Sequence, residues 1–436
     1  MGIKVAKFGG SSVADGIQLT KTKQIIEADP DRRYIVVSAP GKRFDGDSKI
    51  TDLLYLCKTH AEHNLPYDQL FQVIADRFMA VQMNLDVDVD LHAHFDEIKA
   101  NLGKGCTPDY IASRGEYLNA VLVAAFLGYD FVDTEGLIQF DNKGRLKQKE
   151  TDEALRAELE KHERAVLPGF YGSDPDGNIK TFSRGGSDVT GALVARAVGA
   201  DMYENWTDVS GFLMADPRIV KDPKPIHKIS YLELRELSYM GASVLHEDAI
   251  YPARQANIPI NIRNTNKPED PGTIITAEPD AENTNVITGI AGSKDFTVIA
   301  LYKNMLAGER GFIRRILSVL EDFDMSIEHV PTGIDTLSIV LSNKTLDGRL
   351  DEVIDAIQKQ VNPDSIEAFE DMAMIATVGH GMSRRPGTSA TLFTALANAD
   401  VNIRMIDQGS SELNIIVGVQ NKDFNKAIKA IYEAFV

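Results

Sequence analysis

Ile3-Lys4-Val5-Ala6-Lys7-Phe8-Gly9-Gly10-Ser11-Ser12 is the stretch that decides the fold. Ile3, Val5 and Phe8 are apolar enough for a short buried strand. Gly9 and Gly10 permit a sharp turn and let a ligand approach the backbone with no Cβ in the way. Ser11 and Ser12 are suitable N-caps for a helix expected from about Asp15 to Ala28. Backbone N–H groups and a helix dipole would then face the turn, and Lys7 adds a full positive charge. The pattern predicts an anion cradle. It is not a Walker A loop, because no Gly-Lys-Ser/Thr follows the glycines. Taken alone, an ordinary strand–turn–helix connection fits it as well.

Working outward, Tyr34–Ser38 reads as a second buried strand, followed by a loop from Ala39 that runs through Asp45-Gly46-Asp47-Ser48 to a helix start at Thr51. Residues from Asp52 to about Asn101 read as mostly helical. Asp86, Asp88, Asp90, His92, His94 and Asp96 have metal-ligand chemistry, but acidic runs of this kind are usually solvated faces. Ser113-Arg114-Gly115-Glu116 opens an apolar helix ending near Gly128. Strand-like pieces follow at Phe131–Asp133, Gly136–Phe140 and Val166–Gly172. A second strand–glycine–helix unit is Thr181-Phe182-Ser183-Arg184-Gly185-Gly186-Ser187-Asp188, with its helix from Val189 to about Val198. A third strand, Met202–Trp206, ends at Thr207-Asp208. A helix over Tyr231–Tyr239 and a strand over Ile260–Arg263 complete the region. Alternating strands and helices predict an α/β domain with a mostly parallel sheet. Ligands bind such sheets at the carboxyl ends of the strands, where these loops gather.

The last third is an internal repeat. Gly311-Phe312-Ile313 recurs as Gly387-Thr388-Ser389, 76 positions on, and the same shift maps Leu320 to Leu396, Asp324 to Asp400 and Ile327 to Ile403. Each copy reads as the βαββαβ unit of ferredoxin-like folds. The predicted boundaries are a catalytic domain over 1–285 and two repeat domains over 294–362 and 363–436, with a strand at 286–291 available to the second.

The chain of 436 residues is 43% hydrophobic and 25% charged, as expected of a soluble globular protein of two or three domains. A net charge of −18 argues against nucleic acid or an anionic membrane as partner. Cys57 and Cys106 form no metal or redox spacing. With no signal-peptide pattern and no spanning apolar run, a cytoplasmic location is expected.

The polar residues after strands or in glycine loops are Lys7, Ser38, Thr51, Glu116, Arg184, Asp188, Asp208 and Arg218. There is no cysteine nucleophile and no Ser/His/Asp order, and His227 and His246 read as structural. Two glycine-flanked anion sites with cations and acids suit phosphoryl transfer, where catalysis is mostly positioning and charge neutralisation. A carboxylate acceptor, with a pKa of about 4, needs no general base at neutral pH.

These motifs resemble aspartate kinase: Lys7-Phe8-Gly9-Gly10-Ser11-Ser12, Ser113-Arg114-Gly115-Glu116, Ser183–Asp188, Trp206-Thr207-Asp208-Val209, Asp216-Pro217-Arg218 and Gly241-Ala242-Ser243-Val244-Leu245-His246. The paired C-terminal units resemble ACT domains, and the likeness covers essentially the whole chain. It implies an amino-acid-kinase fold, three-layered around a mostly parallel sheet, followed by two ferredoxin-like ACT domains. It also implies Mg²⁺-ATP-dependent phosphorylation of the aspartate side chain on the route to lysine, threonine and methionine. Carried over by position, Lys7, Arg184 and Asp188 are catalytic. Ser38, Thr51, Glu116, Phe170, Arg184, Gly185, Gly186 and Ser187 bind aspartate. Lys7, Phe8, Gly9, Gly10, Ser11, Thr207, Asp208, Leu213, Asp216 and Arg218 bind ATP.

The ACT pair implies feedback control at an interface of a homodimer or homotetramer. Matching effector positions are Met305, Gly311, Phe312, Ile313, Ser326, Ile327, Glu328 and Thr332. Glu328 suits a lysine ammonium, which favours lysine over threonine. The plain alternative for each apolar position is ACT core, which is where Met305 and Ile313 are expected in any case. Two departures stand out. Ser243 and Glu247 replace residues of the family pattern Gly-Ala-Lys-Val-Leu-His-Pro, so a lysine that usually reaches the nucleotide is missing. Met214-Ala215 stands where hydroxyl residues are usual. Another carboxylate-phosphorylating amino-acid kinase and a catalytically weak amino-acid sensor are the alternatives. A fused homoserine dehydrogenase is not expected, because the sequence ends at Val436 just after the second ACT unit.

Overall fold

The computed structural model describes residues 2–241, 247–280, 284–383 and 385–436, with the backbone alone for Glu247 and Asp248. The motif residues Ser243 and His246 lie outside the described residues, as does the Glu247 side chain. The chain forms two compact units. One is Met1–Phe212 with Pro225–Leu234 and Val244–Asp280; the other is Leu213–Lys224 with Arg235–Ser243 and Ala281–Val436.

The first unit is built on eight strands: β1 Lys4–Phe8, β2 Arg32–Val37, β3 Asp130–Phe131, β4 Ala165–Pro168, β5 Met202–Thr207, β6 Lys228–Ser230, β7 Ile260–Asn264 and β8 Thr273–Thr276. They lie in the order β6-β8-β7-β5-β1-β2-β4-β3. Every neighbouring pair is parallel except β7 with β8. The opening stretch is therefore central, flanked by β2 and β5, and the loops after β1, β2, β4 and β5 share one end of the sheet.

Strand alternation then separates two faces. Ala6, Phe8, Ile35, Val37 and Trp206 join one core with α1 (Gly16–Glu27), α2 (Ile50–Glu62), α3 (Asp68–Leu85), α4 (Leu91–Gly103) and α5 (Pro108–Leu127). Lys7 points the other way, toward α7 (Gly186–Val198), which follows α6 (Gln148–Leu159).

Several local expectations need correction. Ser11 and Ser12 do not cap α1. Residues Gly10–Val13 form a 3₁₀ turn, and the Asp15 carboxylate accepts the Gln18 N–H to cap the helix. Ser12 is instead buried against Thr265, hydroxyl to hydroxyl at 2.7 Å. Ser113–Glu116 do not open α5. The helix starts one and a half turns earlier, where Thr107 caps the Tyr110 N–H and Pro108 takes the first position. Gly136–Phe140 forms no strand, only isolated bridges at Gln139 and Phe140. In the acidic run, Asp90 caps α4, Asp86 closes α3 in a left-handed conformation, and His94 bonds Tyr117. Among the described residues no group of three or more His, Cys, Asp or Glu is placed to hold a metal ion, and no helix is long and apolar enough to cross a membrane.

The second unit holds one antiparallel five-stranded sheet. Its order is Thr336–Ser342, Gly289–Tyr302, Ser365–Val378, Asn414–Gln420, Met405–Asp407. The repeat is visible in the backbone. Asp295 and Asp371, Gly311 and Gly387, and Asp324 and Asp400 all have positive φ, each pair at the sequence shift of 76. The strands Gly289–Tyr302 and Ser365–Val378 run through both copies, and Gly289–Ser293 pairs with Met374–Val378. The strand expected near Ile327 is reduced to bridges at His329 and Thr332.

Candidate active site

Strand register brings the first charged group into place. Lys7 pairs across the sheet with Asn205. Its Nζ lies 2.6 Å from Asp188 Oδ1, on the first turn of α7. The Asn205 amide donates to the same carboxylate oxygen at 2.8 Å, and Lys7 donates to the Asn205 Oδ1 at 3.4 Å. Two side chains, from β5 and α7, thus hold the β1 ammonium, only 7% exposed, in a fixed place. A lysine tethered on two sides loses little further freedom when it meets a substrate oxygen.

The glycine loop beside it is held by backbone. The Gly9 N–H donates to the Trp206 carbonyl at 2.9 Å, and the Gly41 N–H to the Gly10 carbonyl at 2.9 Å. Gly9 and Gly10 have no positive φ; at Gly10 and Gly41 what calls for glycine is close approach, whereas a Cβ on Gly9 would meet nothing nearer than 3.4 Å. A Cβ on Gly41 would lie 2.7 Å from the Gly10 carbonyl carbon, and one on Gly10 would lie 3.0 Å from the Ala39 oxygen. The loops after β1 and β2 therefore lie backbone on backbone. The next layer follows the same rule, since a Cβ on Gly115 of α5 would lie 2.8 Å from Ala39 Cβ.

That contact delivers Glu116 and Ser38. The Asn119 amide holds the Ser38 carbonyl at 2.7 Å. The Glu116 Oε2 is buried with no hydrogen-bond partner. Burial pushes the Glu116 carboxyl up to about 8, and the Ala39 N–H and the Arg114 charge offset this only in part. Arg114 itself is buried, caged by Tyr110, Tyr117 and Tyr171, and donates to the Ser113 hydroxyl.

The second glycine loop opens α7. Gly185 takes a left-handed φ of 55° and no side chain caps the helix, so its first N–H groups stand open. Gly186 abuts Phe170, and Gly169 abuts Ser187; a Cβ on either glycine would come within 2.6 Å. Phe170 is held at φ 82°, a rare conformation for an aromatic residue. The Thr190 hydroxyl accepts its N–H, and its carbonyl accepts the Phe182 N–H. Strain at a non-glycine residue between two close-packed glycines is the kind that clusters at ligand clamps. Arg184 is exposed and has no hydrogen-bond or ion-pair partner among the described residues.

Lys7, Phe8, Gly9, Gly10, Ser11, Ser38, Thr51, Glu116, Phe170, Arg184–Asp188, Thr207 and Asp208 all belong to the first unit. The Thr207 hydroxyl donates to Asp208 at 3.1 Å. Leu213, Asp216 and Arg218 belong to the second, where Arg218 folds back on Asp216 at 2.6 Å and holds its carboxyl below the usual range. Also in the second unit, Phe312 is core, whereas Met305 is 76% exposed and Ile313 is 37% exposed. This reverses the expectation that Met305 and Ile313 fill the core. Glu328 accepts the Tyr239 hydroxyl at 2.5 Å. The residues not found from sequence are Asn205 and Tyr239. Asn205 could have been found from strand alternation, being in register with Lys7.

The sequence profile of the amino acid kinase family matches residues 2–264, and that of an ACT domain matches residues 375–435. Aspartokinase 3 of Bacillus subtilis is 37% identical over 451 residues, covering 99% of this chain and 98% of that one. The crystal structure of Clostridium acetobutylicum aspartate kinase, described as an allosteric enzyme, superposes with a TM-score of 0.93 at 53% identity over the full length of both chains. Escherichia coli aspartokinase III shares the fold, with a TM-score of 0.74 at 24% identity over 99% of both chains. The chain belongs to the amino acid kinase family and, within it, to the aspartokinases.

Proposed function

We propose that this chain transfers the γ-phosphoryl group of ATP to the side-chain carboxylate of L-aspartate, giving 4-phospho-L-aspartate, under feedback control by an amino acid. The observation that carries the reading is the Lys7–Asp188–Asn205 triangle, set between the Gly9–Gly10 loop and the uncapped start of α7. The triangle fixes one cation where a transferring phosphoryl group needs it, between two backbone cradles for anions. Arg184, unpaired beside α7, receives the aspartate α-carboxylate, with the Gly185–Ser187 backbone and Phe170 shaping the pocket. Ser38, Thr51 and Glu116 complete it, and Glu116 receives the α-ammonium. Thr207 and Asp208 face the nucleotide. Mg²⁺ arrives on the ATP phosphates and neutralises charge there. The carboxylate nucleophile is already ionised, so no residue need remove a proton.

Glu116 gives this reading a pH signature. Its folded value of about 8 stands above the ordinary 4.5. The stability it contributes is therefore full below about 4.5 and is lost as pH rises through about 8. Its anionic form, the one that attracts the ammonium, grows in the folded protein as pH rises through about 8. In the wild type, kcat/KM for aspartate is expected to rise with pH toward about 8. Glu116→Gln is expected to flatten that limb and raise KM for aspartate about 10- to 100-fold. A pH–rate profile of both proteins checks this; an unchanged limb in the variant removes Glu116 from the ammonium site.

Residues 1–285 form the kinase domain in this proposal, and 294–362 and 363–436 the ACT pair that joins two or more copies. The effector site is Met305, Gly311–Ile313, Ser326–Glu328 and Thr332, with lysine favoured because Glu328 offers an anion. The deciding assay traps acyl phosphate as the hydroxamate from Mg-ATP and aspartate, with and without lysine and threonine. Lysine is expected to inhibit, and Glu328→Gln to weaken that inhibition about tenfold or more. Inhibition by threonine alone overturns the effector assignment and leaves the kinase. Turnover only with another acidic amino acid overturns the substrate.

A further inference from the structure

We propose that Arg77, in the helical segment that precedes the Ser113–Glu116 motif, is a positioning residue that holds Ser38 and Thr51 in register for aspartate. It rests on the reading that these two hydroxyl residues bind aspartate. They flank an exposed loop and are separated by 13 positions of sequence, so something must bring them together. Arg77 lies on α3 and is only 7% exposed. Its Nη2 donates to the Gly41 carbonyl at 2.7 Å, and its Nη1 to the Ser48 carbonyl at 2.7 Å. One guanidinium thus bridges the two ends of the loop.

The loop closes the arrangement from its own side. The Asp47 carboxylate lies 3.6 Å from Arg77 Nη2. It also accepts the Arg43 backbone N–H and the Arg43 Nε and Nη2, at 3.0, 2.9 and 3.0 Å. Both ends then converge on α5 beside Glu116. A Cβ on Gly115 would lie 2.8 Å from Ala39 Cβ and 3.3 Å from Ile50 Cγ2. Ala39 follows Ser38 and Ile50 precedes Thr51. A buried, charged group whose two bonds go to main-chain carbonyls at opposite ends of a loop fixes that loop's span. The planar fork of arginine spans the two carbonyls; the single nitrogen of a lysine does not.

The test compares wild type, Arg77→Ala, Arg77→Lys and Asp47→Asn. Initial rates are measured against aspartate and against Mg-ATP separately. Cleavage by trypsin at Lys42, Arg43 and Lys49 reports the loop. Arg77→Ala is expected to raise KM for aspartate about 10- to 100-fold, with KM for ATP changed less than about threefold. The loop should be cut faster, and saturating aspartate should slow the cutting. Ethylguanidine is expected to restore aspartate affinity in Arg77→Ala and not in Arg77→Lys. Should Arg77→Ala fail to fold, Arg77→Lys and Asp47→Asn carry the same comparison, with smaller shifts in the same direction. Equal shifts in both KM values, or a lower melting temperature with KM values intact, overturn the proposal and leave Arg77 a structural cation. Ser38→Ala and Thr51→Val are run in parallel. If neither moves KM for aspartate, the binding role of these residues is wrong and the positioning proposal falls with it. Faster loop cleavage in Arg77→Ala would then stand as a structural result alone.

Discussion

Lys7→Met is expected to lower kcat by about a thousandfold or more while leaving KM for aspartate nearly unchanged. A preorganised donor aimed at charge that develops during the reaction contributes about 3–4 kcal/mol, and each ~1.4 kcal/mol is tenfold in rate. Lys7 contributes a full charge rather than a neutral dipole, so the loss belongs at or beyond the upper end. The fold should survive. Methionine keeps most of the aliphatic stem, and Asp188 retains the Asn205 amide at 2.8 Å. Lys7→Arg is no rescue. The ammonium is held within 3.4 Å of where a Cβ on Gly9 would stand, and a guanidinium needs more room there. Single-turnover acyl-phosphate formation checks the rate, and circular dichroism checks the fold. Retained turnover in Lys7→Met would remove Lys7 from the transition state. No turnover in the wild type, with effector binding intact, would favour the amino-acid sensor.

What the sequence discloses and what it conceals divide along physical lines. Both glycine loops are legible because each holds a glycine that backbone sterics call for: a Cβ on Gly10 or Gly186 would come within 3.0 Å of a neighbour, and Gly185 takes a left-handed φ. Lys7 and Arg184 are legible because a full charge beside such a loop has few bland explanations. The repeat is legible because its left-handed positions, Gly311 with Gly387 and Asp324 with Asp400, are steric demands of the backbone. Helix starts are less legible. Ser11, Ser12 and Asp15 are all competent caps, and only tertiary context assigns Ser12 to Thr265 and leaves Asp15 to the helix. Arg77 and Asn205 are concealed for another reason. Neither stands in a motif, and each acts through a partner far away in sequence. The same limit hides the Tyr239–Glu328 bond, which joins residues 89 positions apart.

Glu204→Ala is expected to destabilise the first unit by about 3–5 kcal/mol, because it strips a buried charge of its partner. Glu204 is 1% exposed, and its carboxylate accepts Arg32 Nε at 2.6 Å and Nη2 at 3.1 Å. It also accepts the Trp206 indole N–H at 2.9 Å. With Glu204 gone, the nearest acid to Arg32 is Asp29, at 4.0 Å and partly exposed. The Trp206 ring, stacked on Phe8 and covered by Arg263, loses its only anchored edge. The damage should reach the site, because the Trp206 carbonyl seats the Gly9 N–H. Trp206 is the sole tryptophan, so its fluorescence reports this unit during denaturant unfolding. Glu204→Gln, which keeps an acceptor for the indole but no charge for Arg32, should fall between wild type and alanine. The Arg32→Met, Glu204→Met double variant should be more stable than either single change predicts by addition, since no unpaired charge remains. If the double variant is as unstable as the sum of its parts, the pair does not act as a pair. The stability would then lie in the packing around Trp206, and the glycine loop would be held from β5 by apolar contact alone.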